Sequence, residues 1–143
     1  MIAVKDPRYE VIWLIRRLFR AMASQADANL AECDLSAADR AVLEFLYPSE
    51  TLAVPEIAGR YQVSRQHVQV TVNRLLDIGL VRTEPNPHHK RSPLIALTGA
   101  GTDTFAEIRR NESKDIERLF GGISREATLV TRNTLRALYD QLD

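Results

Sequence analysis

The hydrophobic period of the chain changes at Gly79, from the spacing of a helix to that of a β-hairpin. Before this glycine, apolar residues recur at helical intervals from Val68 to Leu75. After it, residues 80–83 and 94–97 are short β-prone runs that flank a loop with two prolines. The sequence therefore predicts a helix from Ser64 to Gly79 that leads directly into a long hairpin over residues 81–98.

Helical spacing and cap residues predict five further helices. The first begins at Asp6-Pro7 and ends near Cys33, the second is capped by Ser36 with Asp39 and stopped by Pro48, and a short third has Pro55 near its start. Another helix follows the hairpin through Phe105 to Phe120, and Ser124 caps the last. This order predicts a winged helix-turn-helix with long N- and C-terminal helices, a mainly α fold with a small β-hairpin wing (α+β).

The chain is neutral overall, but its charge is unevenly distributed. Nineteen basic and nineteen acidic residues balance, which argues against a protein that coats nucleic acid non-specifically. Residues 60–92 carry six basic residues, two acidic residues and all three histidines. A local basic surface in a neutral protein is expected of site-specific DNA binding.

The helix after Ser64 has two faces of different chemistry. Val68, Val72, Leu75, Leu76 and Gly79 fall on one side of a helical wheel, and Gln66, Gln69, Val70, Asn73 and Asp77 fall on the other. Amide side chains can bond adenine bidentately, an apolar side chain can touch a thymine methyl, and arginine can reach guanine or phosphate. The polar face therefore predicts major-groove reading, with Asp77 outside the contact zone.

The predicted DNA contacts come from this helix and from the wing. In the helix they are Ser64, Arg65, Gln66, His67, Gln69, Val70, Asn73 and Arg74, and in the wing they are Arg82, His89, Lys90 and Arg91. His88 lies beside them, and two adjacent histidines without a third ligand do not predict a metal site.

Taken in order, these segments resemble the multiple antibiotic resistance regulator (MarR) family. The resemblance is carried by Val63-Ser64-Arg65-Gln66-His67-Val68, Arg74-Leu75, Gly79-Leu80-Val81, His89-Lys90-Arg91 and Leu97-Thr98-Gly99-Ala100-Gly101, and it covers almost the whole chain. It implies a homodimer that binds a pseudo-palindromic DNA operator, usually as a repressor, and that is often released by a small phenolic or lipophilic ligand or by oxidation.

Three departures from the family pattern bear on function. The family's wing arginine corresponds to Arg91, but His89 stands where an aspartate commonly holds that arginine, so we expect a wing that is mobile until DNA orders it. Val70 replaces a basic or polar contact residue, which shifts readout toward a methyl contact. Ala53 stands where a capping Ser or Thr is usual and should weaken the short helix only modestly.

The chain has no internal repeat and no linker, which predicts a single domain over residues 1–143. Within it, segments 1–35 and 100–143 would form the dimer, and residues 36–99 would bind DNA. The terminal segments are too apolar for a monomer of this size to bury easily, so we expect them to interlock with a second copy. No signal peptide or membrane-spanning run is present, and we expect a cytoplasmic protein.

An effector site and a redox switch are the open questions of regulation. An aromatic effector would be lined by Trp13, Phe19, Phe45, Tyr47 and Tyr61, although the same residues would serve as core and interface anchors. The single cysteine, Cys33, offers a redox-responsive alternative, but its acidic neighbours disfavour the reactive thiolate.

Catalysis is not expected from this sequence. It contains no nucleophile elbow, phosphate-binding loop, metal cluster or paired carboxylates, and no cofactor motif. The competing function is a winged-helix protein-interaction module without specific DNA binding, which the zero net charge would fit.

Overall fold

The computed structural model describes all 143 residues, Met1–Asp143. Its helices are α1 (Pro7–Ala31), α2 (Ala37–Leu46), α3 (Val54–Tyr61), α4 (Arg65–Asp77), α5 (Gly99–Leu119) and α6 (Arg125–Asp140), and its strands are β1 (Leu52–Ala53), β2 (Val81–Glu84) and β3 (Leu94–Leu97). This architecture confirms the predicted mainly helical fold with a small wing. Internal contacts divide the chain into two compact units, Met1–Phe105 and Ala106–Asp143.

Polar side chains start four of the helices where the sequence predicts. Asp6, Ser36, Ser64 and Ser124 each accept a hydrogen bond from a backbone N–H in the following turn. Ser36 belongs to a complete capping box with Asp39. At Ala53 only half of the capping box is present. Glu56 accepts from the Ala53 N–H at 3.2 Å, but the alanine side chain has no oxygen that could accept from the Glu56 N–H.

An ion pair joins Asp6 and Arg8 at the start of α1. Arg8 donates to both carboxylate oxygens of Asp6, and these hydrogen bonds hold the pKa of Asp6 below its ordinary value. The same contact raises the pKa of the Arg8 guanidinium. Asp6 and Arg8 are distant in sequence from α4.

The three strands form one antiparallel sheet in the order β1-β3-β2. In the wing, Val81 pairs with Leu97 and Glu84 with Leu94. On the other side of β3, Leu52 pairs with Ile95. Strand β1 was not predicted, because two residues are too short to show a hydrophobic period.

The core of the Met1–Phe105 unit fixes the orientation of α4. Its fully buried side chains come from α2, α3, α4, β3 and the first turns of α5; they are Val42, Leu43, Leu46, Ile57, Val68, Val72, Leu75, Ile95 and Phe105. Burying a side chain of this size stabilises the fold by about 1.5–3 kcal/mol. The three that belong to α4 therefore turn its opposite face toward solvent.

The end of α4, the wing and the start of α5 meet at a tight junction. Gly79 has the left-handed φ of 78° that ends α4. The Thr98 hydroxyl donates to the Gly79 carbonyl at 2.6 Å and accepts from the Gly101 N–H at 3.0 Å. A Cβ on Gly101 would lie 1.9 Å from the Leu80 carbonyl oxygen, so only glycine fits there.

The terminal helices leave many apolar side chains uncovered. On α1, Val11, Ile12, Trp13, Leu14, Ile15, Leu18, Phe19 and Met22 are exposed, and on α6, Val130, Leu135, Leu138 and Tyr139 are exposed. A soluble monomer rarely leaves so much large apolar surface in contact with water. None of the helices is both long enough and apolar enough to cross a membrane.

Candidate nucleic-acid interface

The predicted division of α4 into two faces is present in the structure. Val68, Val72 and Leu75 are fully buried, whereas Gln66, Gln69, Val70 and Asn73 are exposed. Val70 is 64% exposed and presents an apolar side chain on this face. Thr71 is also buried, although it was not among the residues predicted for the buried face. Its hydroxyl can be buried because it donates to the His67 carbonyl at 3.1 Å.

Two of the predicted reading residues are bonded to each other. The Gln69 amide donates from Nε2 to Oδ1 of Asn73 at 2.8 Å, one helical turn away. This bond leaves the Gln69 oxygen as an acceptor and the Asn73 NH₂ as a donor, both on the outer face. A linked donor and acceptor match the N6 and N7 atoms that adenine presents in the major groove.

The start of α4 is supported by its turn and by aromatic contacts. Gln62 ends α3 with a left-handed φ of 59°, and the Ser64 hydroxyl accepts from the His67 N–H at 3.0 Å. Tyr61 lies between the rings of Phe45 and His67, with centroid distances of 6.0 and 6.4 Å. The exposed Arg65 lies in the first turn, where a helix-turn-helix meets DNA.

Arg74 points to a different partner from the one that the sequence predicted. Its guanidinium forms an ion pair with the buried Asp39 and donates to the Asp34 carbonyl. The sequence around Asp39 indicates only a capping role for it, and the pairing could not be read locally because Arg74 lies 35 residues away. The structure thus engages Arg74 within the protein, and contact with DNA stays a prediction.

The exposed tip of the wing carries two cationic side chains beside two histidines. His88, His89, Lys90 and Arg91 are all exposed, and the expected looseness of Arg91 stays a prediction. Arg82, lower on the wing, pairs with Glu84 on the same strand. That pair is exposed and therefore weak, so a phosphate can compete for Arg82.

The wing loop is braced by Asn86, a loop residue that was not among the predicted site residues. Its amide donates to the Ser92 carbonyl at 2.8 Å and accepts from the His88 N–H at 3.0 Å. The His89 N–H also donates to the Asn86 carbonyl at 3.3 Å. Asparagine between two prolines was a recognisable signal for such an Asx-type turn.

The predicted aromatic effector lining does not form a single cluster within one chain. Phe45 and Tyr61 are in contact, but Tyr47 packs on Phe105 at 5.0 Å. Trp13 is 49% exposed and Phe19 is 72% exposed, both on α1; the ring of Trp13 lies 4.6 Å from the Arg17 guanidinium carbon. Within one chain these rings lie on elements that face different surroundings, and a shared effector lining stays a prediction.

Cys33 is exposed just after the end of α1. It forms no disulfide, and the following residue, Asp34, has a left-handed φ of 56°. No group of three or more His, Cys, Asp or Glu side chains is arranged to hold a metal ion.

The central part of the chain, which includes α2, α3 and α4, matches a known protein family. The MarR family model matches residues 34–92. Two uncharacterized proteins, from Mycobacterium tuberculosis and Mycobacterium bovis, are each 31% identical to this chain over 132 residues. The matched region covers 91% of this chain and 85% of each relative.

Solved structures show the same fold. The MarR family transcription regulator SP03579 matches with a TM-score of 0.87 and 22% identity, over 94% of this chain and 89% of that one. FabT of Streptococcus pneumoniae, in complex with DNA, matches with a TM-score of 0.82 and 18% identity, over 93% and 95%. The S. aureus MepR–DNA complex matches with a TM-score of 0.76 and 20% identity, over 92% and 96%. With the family match, the sequence relatives and this fold in agreement, the chain belongs to the MarR family of winged-helix transcription regulators.

Proposed function

We propose that this protein is a homodimeric repressor that binds a pseudo-palindromic operator in double-stranded DNA and is released by a small effector. The observation that carries the proposal is the outward face of α4, where the linked amides of Gln69 and Asn73 lie beside an exposed valine. Such a surface discriminates bases by hydrogen bonds and methyl contact.

Each exposed residue of the contact set has a role that fits its chemistry. Gln66, Gln69 and Asn73 read base edges, and Val70 contacts a thymine methyl. Ser64, Arg65 and His67 meet the phosphates near the start of α4, and Arg82, His89, Lys90 and Arg91 bind backbone or minor groove from the wing. Arg74 is left out of this set, since its guanidinium is already engaged.

Dimerisation is proposed from the uncovered apolar surface of the terminal helices. Residues 1–35 and 100–143 would form the interface, and residues 36–99 would carry DNA binding. Two reading helices related by a two-fold axis would lie about 34 Å apart, one turn of B-DNA. We also propose a cytoplasmic location, because the protein must reach chromosomal DNA.

The effector is proposed to be a small phenolic or lipophilic molecule, on the family resemblance. Phe45 and Tyr61 offer a half-buried aromatic contact next to the reading helix. The exposed Trp13 and Phe19 of α1 would complete a lining only where a second copy covers α1. The redox alternative would act through the exposed Cys33; a Cys33→Ser variant that still releases operator on peroxide treatment eliminates it.

Selection of DNA fragments followed by gel shifts at increasing salt tests the function. We expect one or a few fragments with a two-fold-related sequence to be retained at moderate salt, with a steep fall in affinity as salt rises. The neutral net charge favours one competing function, a winged-helix protein-interaction module. A dimer that shifts no fragment specifically at moderate salt would support that module and refute the repressor.

A further inference from the structure

One guanidinium joins the reading helix to the corner between α1 and α2. Arg74 donates one hydrogen bond to the carboxylate of Asp39 and a second to the backbone carbonyl of Asp34. Asp39 lies in the first turn of α2, and Asp34 lies in the turn that ends α1. A single side chain of α4 thus connects three helices within the Met1–Phe105 unit.

The acceptor of this contact is itself held firmly. The Asp39 side chain is only 2% exposed, and its carboxylate accepts from the Ser36 N–H at 2.9 Å. The Asp39 N–H in turn donates to the Ser36 hydroxyl at 3.1 Å. A carboxylate so far from water needs charged and hydrogen-bonding partners, because an unpaired buried charge is costly. Asp39 therefore offers Arg74 a carboxylate whose position is fixed.

The direction of the contact controls how α4 is rotated about its own axis. Arg74 lies about 80° around the helix from Gln66, on the flank between the buried and outward faces. A helix with its side chains has a radius of about 5–6 Å, so a rotation of about 10° moves an outward tip by about 1 Å. The lengths of good hydrogen bonds vary by only about 0.5 Å. Base reading is thus sensitive to this angle.

We propose that Arg74 is a positioning residue, which sets the rotation of α4 for base reading through Asp39 and the Asp34 carbonyl and does not itself contact DNA. This inference rests on the proposed function, DNA reading by α4. It predicts that loss of the contact reduces discrimination between sequences without weakening attraction to phosphate.

Asp39→Asn is the informative variant, because its two effects on DNA affinity have opposite signs. Loss of the acidic charge should raise the affinity for any DNA, whereas loss of the contact with Arg74 should lower the affinity for the selected sequence. Removing an acidic group from a DNA-binding unit strengthens attraction to phosphate. Asparagine still offers an oxygen to the Ser36 N–H but no longer holds Arg74 by charge. Glu44→Gln is the matched control, since it removes the same charge from α2 at an exposed carboxylate paired with Arg40 at 2.6 Å.

Affinities are measured for a 30-base-pair duplex selected by the wild-type protein from a random pool and for a shuffled duplex of equal composition. We expect Asp39→Asn to lower the ratio of these affinities about tenfold, the scale of one lost base contact. Glu44→Gln should leave the ratio unchanged. Arg74→Lys, which keeps the charge but cannot span both acceptors, should lower it by a smaller factor. Arg74→Met should lower the ratio without changing the dependence on salt.

Two results would overturn the proposal. One is an unchanged affinity ratio in both Asp39→Asn and Arg74→Lys; the other is a salt slope that falls by about one in Arg74→Met, which indicates a phosphate contact. If Asp39→Asn does not fold, as judged by circular dichroism, the ratio for Arg74→Lys decides.

Amide hydrogen exchange of the free protein separates this proposal from the proposed function. We expect faster exchange in α4 for Asp39→Asn and not for Glu44→Gln, and unchanged exchange in both would refute a positioning role. Equal wild-type affinity for the two duplexes would refute specific DNA binding instead, and exchange alone would then decide whether Arg74 positions α4.

Discussion

Gly101→Ala should destabilise the protein strongly, whereas Gly99→Ala, two residues earlier in α5, should not. The added Cβ would lie 1.9 Å from the Leu80 carbonyl oxygen, and ordinary contact begins at 3.4 Å. Either α5 or the backbone at Leu80 must therefore move by about 1.5 Å. That carbonyl also accepts the Thr98 N–H at 3.1 Å, so the movement should break a hydrogen bond that closes the base of the wing.

The expected cost combines overpacking with the loss of that hydrogen bond. Forcing an extra carbon into a packed site costs about 1–3 kcal/mol, and a lost backbone hydrogen bond adds about 1 kcal/mol. A total of about 2–4 kcal/mol should lower Tm by about 7–13 °C in a chain of this size.

Thermal unfolding followed by circular dichroism measures this change, at one protomer concentration because dimerisation shifts Tm. Gly99→Ala is the matched control: it lies two residues earlier, at the first position of α5, and a Cβ there meets nothing within 4 Å. We expect its Tm to equal or slightly exceed that of the wild type. A Gly101→Ala protein that melts within about 2 °C of Gly99→Ala would refute the reasoning on steric contact.

Three further predictions concern α4 and the wing. Gln69→Ala should cost about 1–3 kcal/mol of operator affinity and relax one base position, measured by repeating fragment selection with the variant; unchanged preference at every position would contradict the docking of α4. Arg91→Ala should reduce the slope of log affinity against log salt by about one, and an unchanged slope would remove the wing tip from the interface. Asn86→Ala should speed hydrogen exchange of the His88 and His89 amides, and unaltered protection would show that other contacts hold the loop.

Elements with local signals were predictable from the sequence. Helix starts depend on side chains that bond to a neighbouring turn, so Ser36, Ser64 and Ser124 indicated them directly. The two faces of α4 followed from helical geometry alone. Strand β1 escaped prediction because its identity comes from pairing with β3, more than forty residues later.

Features that depend on distant residues were not predictable. Asp39 has a complete local explanation as a cap, so nothing in its neighbourhood indicated Arg74. The aromatic residues looked like one lining because they share a chemistry, yet Tyr47 packs on Phe105 and Trp13 lies exposed on α1. Residue type alone could not tell which element each ring would face.

The hydrogen bond between Gln69 and Asn73 has a consequence for how operator preference is encoded. Because each amide orients the other, the two cannot respond independently to the bases they meet. Base preferences at neighbouring operator positions should then be correlated, and a table of independent per-position scores would misrank genomic sites. Retargeting this regulator to a new sequence would require changing both amides together, since altering one releases the rotamer of the other.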